Sequence, residues 1–280
     1  MTEKKRSRDY FCTHINRVGI LGRVAKDAMT KGDFVIVPIV VPIWTKEGRQ
    51  WAPFGLQFTG DKKEVASKAT AGDLIRATAF IVDRRVNSDE GPRTIKQLQV
   101  DPFREVGLKS ESADTDPLNP TYTGIEETFV LLAGRHFMSK KDKEDSGGET
   151  PKLREGDRGP FCYFKLKYED PFQPEPPEGE YYKGQFFDLS ANGKTAERMC
   201  EFCRDRAQLV VQGTLSRQQC RFEVKGQKPF EPRIQVMPGG VSFVNLDRGD
   251  FKPREQRSPV EHQDPDDTSG IDGLDDSLPF

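Results

Sequence analysis

The sequence predicts an all-β fold: two tandem five-stranded barrels with one short helix each, followed by a disordered acidic C-terminal tail. Three observations predict it. Short runs rich in β-branched residues and punctuated by Gly and Pro recur along the chain, and only two segments read as helices. The order of these segments repeats once. From residue 246 onward the chain is polar and rich in Pro and Asp, with too little apolar surface to repay the cost of folding.

The first copy begins at residues 15–24 (INRVGILGRV), a short apolar run broken by Gly19 and Gly22. The run 34–44 (FVIVPIVVPIW) is dense in β-branched residues. Pro38 and Pro42 would each remove a ladder donor, which places this strand at an edge or beside a bulge. Residues 51–58 supply a third strand, 61–69 (DKKEVASKA) a short helix, and 72–82 and 94–100 the last two strands. A polar, Pro-bearing linker follows. The order then begins again, with strands at 128–135 (TFVLLAGR), 161–168 and 181–189, a helix at 194–203, and strands at 208–215 and 233–244.

The two Gly-Arg marks, Gly22-Arg23 and Gly134-Arg135, lie 112 residues apart, whereas Ala79 and Gly213 in the fourth strands lie 134 apart. The second copy therefore carries 22 extra residues, which the polar stretches 140–155 and 169–180 can hold. A duplicated unit of five strands, its helix between the third and the fourth, has the order of the OB-fold. The reading divides the chain into OB modules at 10–107 and 124–245, a linker at 108–123 and the tail at 246–280.

Composition narrows the class. The chain has 280 residues, 34% hydrophobic and 31% charged, with 25 Gly and 20 Pro, as expected of a soluble, loop-rich protein that still builds a core. No apolar run approaches the ~18 residues of a membrane span. The opening MTEKKRSRDY is basic, but no apolar stretch follows it as in a secretory signal. Five cysteines, an odd number at low density, point to a reducing cytoplasm. Residues 261–280 hold seven acidic residues and no Lys or Arg, so the rest of the chain is net +5, a basic body with an acidic tail. The motifs of phosphate-binding loops, serine hydrolases, zinc proteases and deaminases are absent, and no enzyme activity is expected. Cys200 and Cys203 share a helix face. Structural zinc takes four ligands, usually as two such pairs; Cys12, Cys162, Cys220 and the three histidines are scattered, so two packed small residues is the better reading, with no metal or cofactor.

The opening strand that ends in Gly-Arg, the aromatic-led third strand, the glycine-bearing fourth strand and the terminal Asp-Asp-Ser-Leu-Pro-Phe together resemble the bacterial single-stranded DNA-binding protein family, SSB. The resemblance covers both modules and the last ten residues. Ala79 stands where that family favours Gly, and Gly213 keeps it. The resemblance implies sequence-independent binding and protection of single-stranded DNA in replication, recombination and repair, in a nucleoid-associated cytoplasmic protein. It also implies a homodimer supplying four OB units.

Such binding needs cations along the phosphates and flat side chains on which bases stack. In the first module Trp44 and Trp51 flank a turn carrying Lys46 and Arg49, with Arg23 near in strand order; each tryptophan either stacks on a base or fills the barrel. Phe54 and Phe58 share a face and read as core. In the second module Tyr163, Lys165 and Lys167 alternate onto one face, joined by Arg135, Tyr182 and Lys183, with a plain solvated strand face as the alternative. The tip Asp275, Asp276, Ser277, Leu278, Pro279 and Phe280 reads as a docking peptide for replication and repair proteins: a terminal Phe enters an apolar pocket while the carboxylates meet a basic rim. The competing functions are an interaction adaptor whose modules bind little DNA, and an RNA-binding OB protein.

Overall fold

The structure of the protein, a computed structural model, describes residues 16–45, 47–110, 116–157, 159–169 and 184–245. The expectations for Lys46, Tyr182, Lys183, the tail and its tip at Asp275 to Phe280 therefore lie outside the described residues.

The first half of the chain supplies β1 (Asn16–Val24), β2 (Met29–Lys31), β3 (Phe34–Thr45), β4 (Gly48–Phe58), helix α1 (Lys62–Ala66), β5 (Leu74–Ser88), β6 (Gly91–Val100) and β7 (Gly107–Lys109). Antiparallel ladders join β1 to β3, β3 to β4, β5 to β6 and β1 to β5. A short parallel contact, Leu56 opposite Leu98, closes β4 on β6. The result is a closed five-stranded barrel with its helix between the third and fourth barrel strands, the OB order. Alternation along β3 and β4 buries Val37, Ile39 and Val41 against Ala52, Leu56 and Phe58. Phe54 and Phe58 are both core residues, as their spacing predicts. β3 pairs with β4 along nearly its whole length, but on its other side it meets β1 at only two positions and β2 at three. Pro38 and Pro42 fall opposite neither, so their missing N–H groups break no ladder.

The second half repeats the plan with β8 (Glu127–Phe137), helix α2 (Lys140–Ser146), β9 (Arg154–Gly156), β10 (Gly159–Glu169), β11 (Gly184–Asn192), helix α3 (Lys194–Phe202), β12 (Gln208–Gln219) and β13 (Phe230–Asn245). β8 pairs with both β10 and β12, β10 with β11 and β12 with β13, and β11 packs beside β13 at the remaining seam. The inserted helix α2 and strand β9 occupy the first of the two polar stretches. The repeated Gly-Arg marks have a steric cause. A Cβ on Gly22 would stand 2.7 Å from Val41 Cγ1 and 2.8 Å from the Val40 carbonyl, and one on Gly134 would strike the Lys167 carbonyl. In each copy the first strand crosses the second too closely for any side chain.

The two barrels share one sheet. β1 runs antiparallel to β8 from Asn16 opposite Leu132 to Leu21 opposite Glu127. Because Gly22 is the counterpart of Gly134, Val18 is the counterpart of Val130, and those two face each other at the middle of the ladder. The pairing is therefore a pseudo-twofold contact within one chain, each copy offering the same edge to the other. A second tie joins the β5–β6 hairpin to the β12–β13 loop: the Asp89 carboxylate accepts the backbone N–H groups of Lys225 and Gly226, both at 2.8 Å. A third sets Lys96, paired with Asp83 at 2.8 Å, 4.8 Å from the centre of the Phe187 ring.

Candidate nucleic-acid interface

The β3–β4 hairpin carries the first group of candidate residues. Its register sets Trp44 opposite Arg49 and Pro42 opposite Trp51. The Thr45 hydroxyl ties the tip by donating to the Gly48 carbonyl at 2.9 Å. Alternation turns Trp44, Arg49 and Trp51 outward while Ile43, Ala52 and Phe54 face the core. Trp44 is 56% exposed and Trp51 half-buried, so neither fills the barrel. The Arg49 guanidinium lies 4.9 Å from the Trp44 ring centre and 3.6 Å from that of Tyr122. Tyr122 in turn stands 6.4 Å from Trp51, tilted by 58°. Four planar groups thus stand together on one outward patch. The sequence reading missed Tyr122 because it lies in the linker, where no periodicity marks a face.

Arg23 needs correction. It is only 7% exposed, and its Nε and Nη2 donate to Glu126 Oε1 at 2.9 and 2.8 Å, so it is engaged inside the fold and does not face a phosphate. Glu126, 1% exposed, also accepts from the backbone N–H and the hydroxyl of Thr123, each at 3.0 Å. Burial pushes the Glu126 carboxyl up, but these bonds from Arg23 and Thr123 outweigh it and hold the group below its ordinary value. The counterpart of Arg23, Arg135, is half-buried at the end of β8, opposite Lys167 on one side and Gln208 on the other.

On the second barrel, β10 behaves as its alternation predicts. Phe164, Leu166 and Tyr168 are buried, while Tyr163, Lys165 and Lys167 face outward, Tyr163 at 63% exposure. Arg154 of β9 stands 5.9 Å from the Tyr163 ring centre. Two further rings, missed in the sequence, join this face: Phe137 opposite Lys165 and Phe186 opposite Lys167, both partly exposed and 5.0 Å apart. The Phe186-Phe187 pair reads equally well in either register until the partner strand is known.

Helix α2 stands beside this face. Ser139 and Asp142 form a reciprocal capping box, and Gly147 ends the helix in the left-handed region at φ 72°. Asp142 also reaches the sheet and pairs with Lys165 at 3.1 Å. The Ser139 hydroxyl bond, reinforced by Lys165, lowers the Asp142 carboxyl to about 2. Between the helix and the sheet lies a cavity of about 280 Å³, lined in part by Phe137, Asp142, Lys152, Arg154, Tyr163 and Lys165.

Behind the face, Cys162 and Cys203 are buried and Cys200 half-buried. Burial pushes the Cys162 thiol up to about 12 and raises the other two, the direction that packing among apolar neighbours gives a thiol. Among the described residues no group of three or more His, Cys, Asp or Glu is placed to hold a metal ion, and no helix is long and apolar enough to cross a membrane.

No family model matches the chain, and no curated protein matches it in sequence. Among solved structures, the wild-type single-stranded DNA binding protein from Thermus aquaticus matches with a TM-score of 0.53 at 17% identity, over 82% of this chain and 93% of that one. A deletion mutant of the same protein matches with a TM-score of 0.52 at 17% identity, over 86% and 98% of the two chains. At such identity the likeness is one of fold, and it is the fold that the duplicated strand order predicts.

Proposed function

We propose that the protein binds single-stranded DNA without sequence preference, through the outward aromatic and cationic faces of its two barrels. The observation that carries this is the patch of Trp44, Arg49, Trp51 and Tyr122 on the β3–β4 hairpin. Flat rings accept any base, and cations replace the counterions of the phosphates. Tyr163, Lys165, Lys167, Phe137 and Phe186 offer the same chemistry on the second barrel. The binding of single-stranded DNA by the Thermus aquaticus protein, similar in fold, supports the reading.

On this reading the protein performs no chemical step. It coats single-stranded DNA during replication, recombination and repair in the cytoplasm, works as a homodimer, and recruits partner proteins through the tip Asp275 to Phe280. Titration with oligo-dT, followed by tryptophan fluorescence at several salt concentrations, tests it, because both tryptophans lie in the proposed patch. Quenching is expected, with log K falling against log salt by about 0.7 per phosphate contact. A folded protein that binds no oligonucleotide at low salt refutes the reading. Removal of residues 271–280 is expected to leave the affinity unchanged or higher, whereas an adaptor would lose its partner binding.

A further inference from the structure

We infer that the end of the linker at residues 120–123 is itself part of the binding surface, with Tyr122 a stacking site for one nucleobase, held in place by the buried Arg23–Glu126 pair. The inference rests on the proposed function and adds to it a segment that belongs to neither barrel.

Three observations converge on Tyr122. First, the ring is 37% exposed, open to a ligand, yet it stands among other planar groups: Arg49 is 3.6 Å from its centre and Trp51 6.4 Å. Arg49 also lies 4.9 Å from the Trp44 ring centre, so one guanidinium is near both a linker ring and a hairpin ring. Nucleobases stack on guanidinium planes as well as on aromatic rings, and the patch therefore offers consecutive surfaces to consecutive bases. Second, the linker is anchored on both sides of Tyr122. Pro120 is buried on one side. On the other, Glu126 is buried against Arg23 of β1 and collects the Thr123 N–H and hydroxyl. Third, this anchoring explains where Arg23 goes. A buried ion pair costs desolvation and is weak support for stability alone, but here it fixes a chain segment that carries an exposed aromatic. Arg23 and Glu126 are positioning residues; Tyr122 is the group that would touch the base.

The test uses the full chain with oligo-dT. Tyr122→Ala is expected to weaken binding roughly 5- to 150-fold, the range for loss of one base–aromatic stack. The slope of log K against log salt should stay as in the parent, because the ring neutralises no phosphate. Tyr122→Phe, which keeps the ring, should bind as the parent does. Irradiation of the parent protein with an oligonucleotide carrying 5-iododeoxyuridine should attach DNA to the peptide containing Tyr122. Parent-like affinity in Tyr122→Ala overturns the inference, as does an equal loss in Tyr122→Phe, which would assign the effect to the hydroxyl. Should Tyr122→Ala fail to fold, the crosslink decides, and its absence from that peptide overturns the inference. A parent chain that binds no oligonucleotide removes the proposed function, an outcome distinct from a parent that binds and an Ala variant that binds equally.

Discussion

Arg23 and Glu126 illustrate how a buried charge is tolerated only while its partner stays. Both are almost fully covered, and each is neutralised by the other across 103 residues of sequence. Replacing Glu126 by Gln removes the carboxylate that the buried Arg23 guanidinium bonds through Nε and Nη2, and breaking a buried pair from one side should destabilise the fold by up to roughly 3–5 kcal/mol. Replacing both, Arg23→Met with Glu126→Leu, removes the two desolvation penalties together and should cost far less. Urea denaturation of the three proteins at neutral pH measures this. The same pair predicts a pH dependence. The folded state lowers the Glu126 carboxyl below its ordinary value of 4.5, so its contribution is complete above 4.5 and disappears as the pH falls through the lower folded value. The parent protein should lose this contribution on acidification, and Glu126→Gln, having no carboxyl there, should not.

At the scale of elements, the insertion in the second copy changes what its sheet face can do. Helix α2 holds Asp142 on Lys165, so a cation of the proposed DNA face is partly spent inside the protein. The low Asp142 value, about 2 against an ordinary 3.8, means the pairing persists as the pH falls until close to 2, and mutation is the practical way to release it. Asp142→Asn should free Lys165 for a phosphate and steepen the slope of log K against log salt by about 0.7; an unchanged slope in the oligo-dT titration would count against a shielding role for α2. These elements also show what a sequence can reveal. The strand 161–168 was legible because alternation of period two sorts its residues onto two faces without knowledge of any neighbour. Gly22 and Gly134 were visible as a repeated mark, but the close crossing that demands them appears only when the second strand is in place. Arg23 was misread because a charge in an apolar strand looks like a surface group until its partner is found far along the chain. Tyr122 and Phe137 sit where the local pattern is silent, in a linker and at the end of a strand.

For the whole molecule, the ladder between β1 and β8 fixes which face is left over. Val18, Ile20, Val130 and Leu132 point into the barrels, so Leu21, Phe129 and Leu131 must point outward. Phe129 is 45% exposed beside Gly19, which has no side chain to cover it, and Ile125 nearby is 49% exposed. These residues form a partly apolar strip about the pseudo-twofold axis, edged by Arg17 opposite Leu131 and Glu127 opposite Leu21, and it is suited to a second copy of the chain, because a true twofold laid across it brings like against like and closes the assembly. A stable contact there would bury at least about 1,200 Å² in total. Light scattering should therefore give a mass twice the 31.7 kDa of one chain. Phe129→Glu, a change at an exposed position that leaves both barrel cores intact, should shift the mass to that of a single chain while the melting of the barrels stays close to the parent's. A dimer that survives Phe129→Glu would place the contact elsewhere on the surface, and a monomeric parent would leave two OB units, rather than four, to hold each strand of DNA.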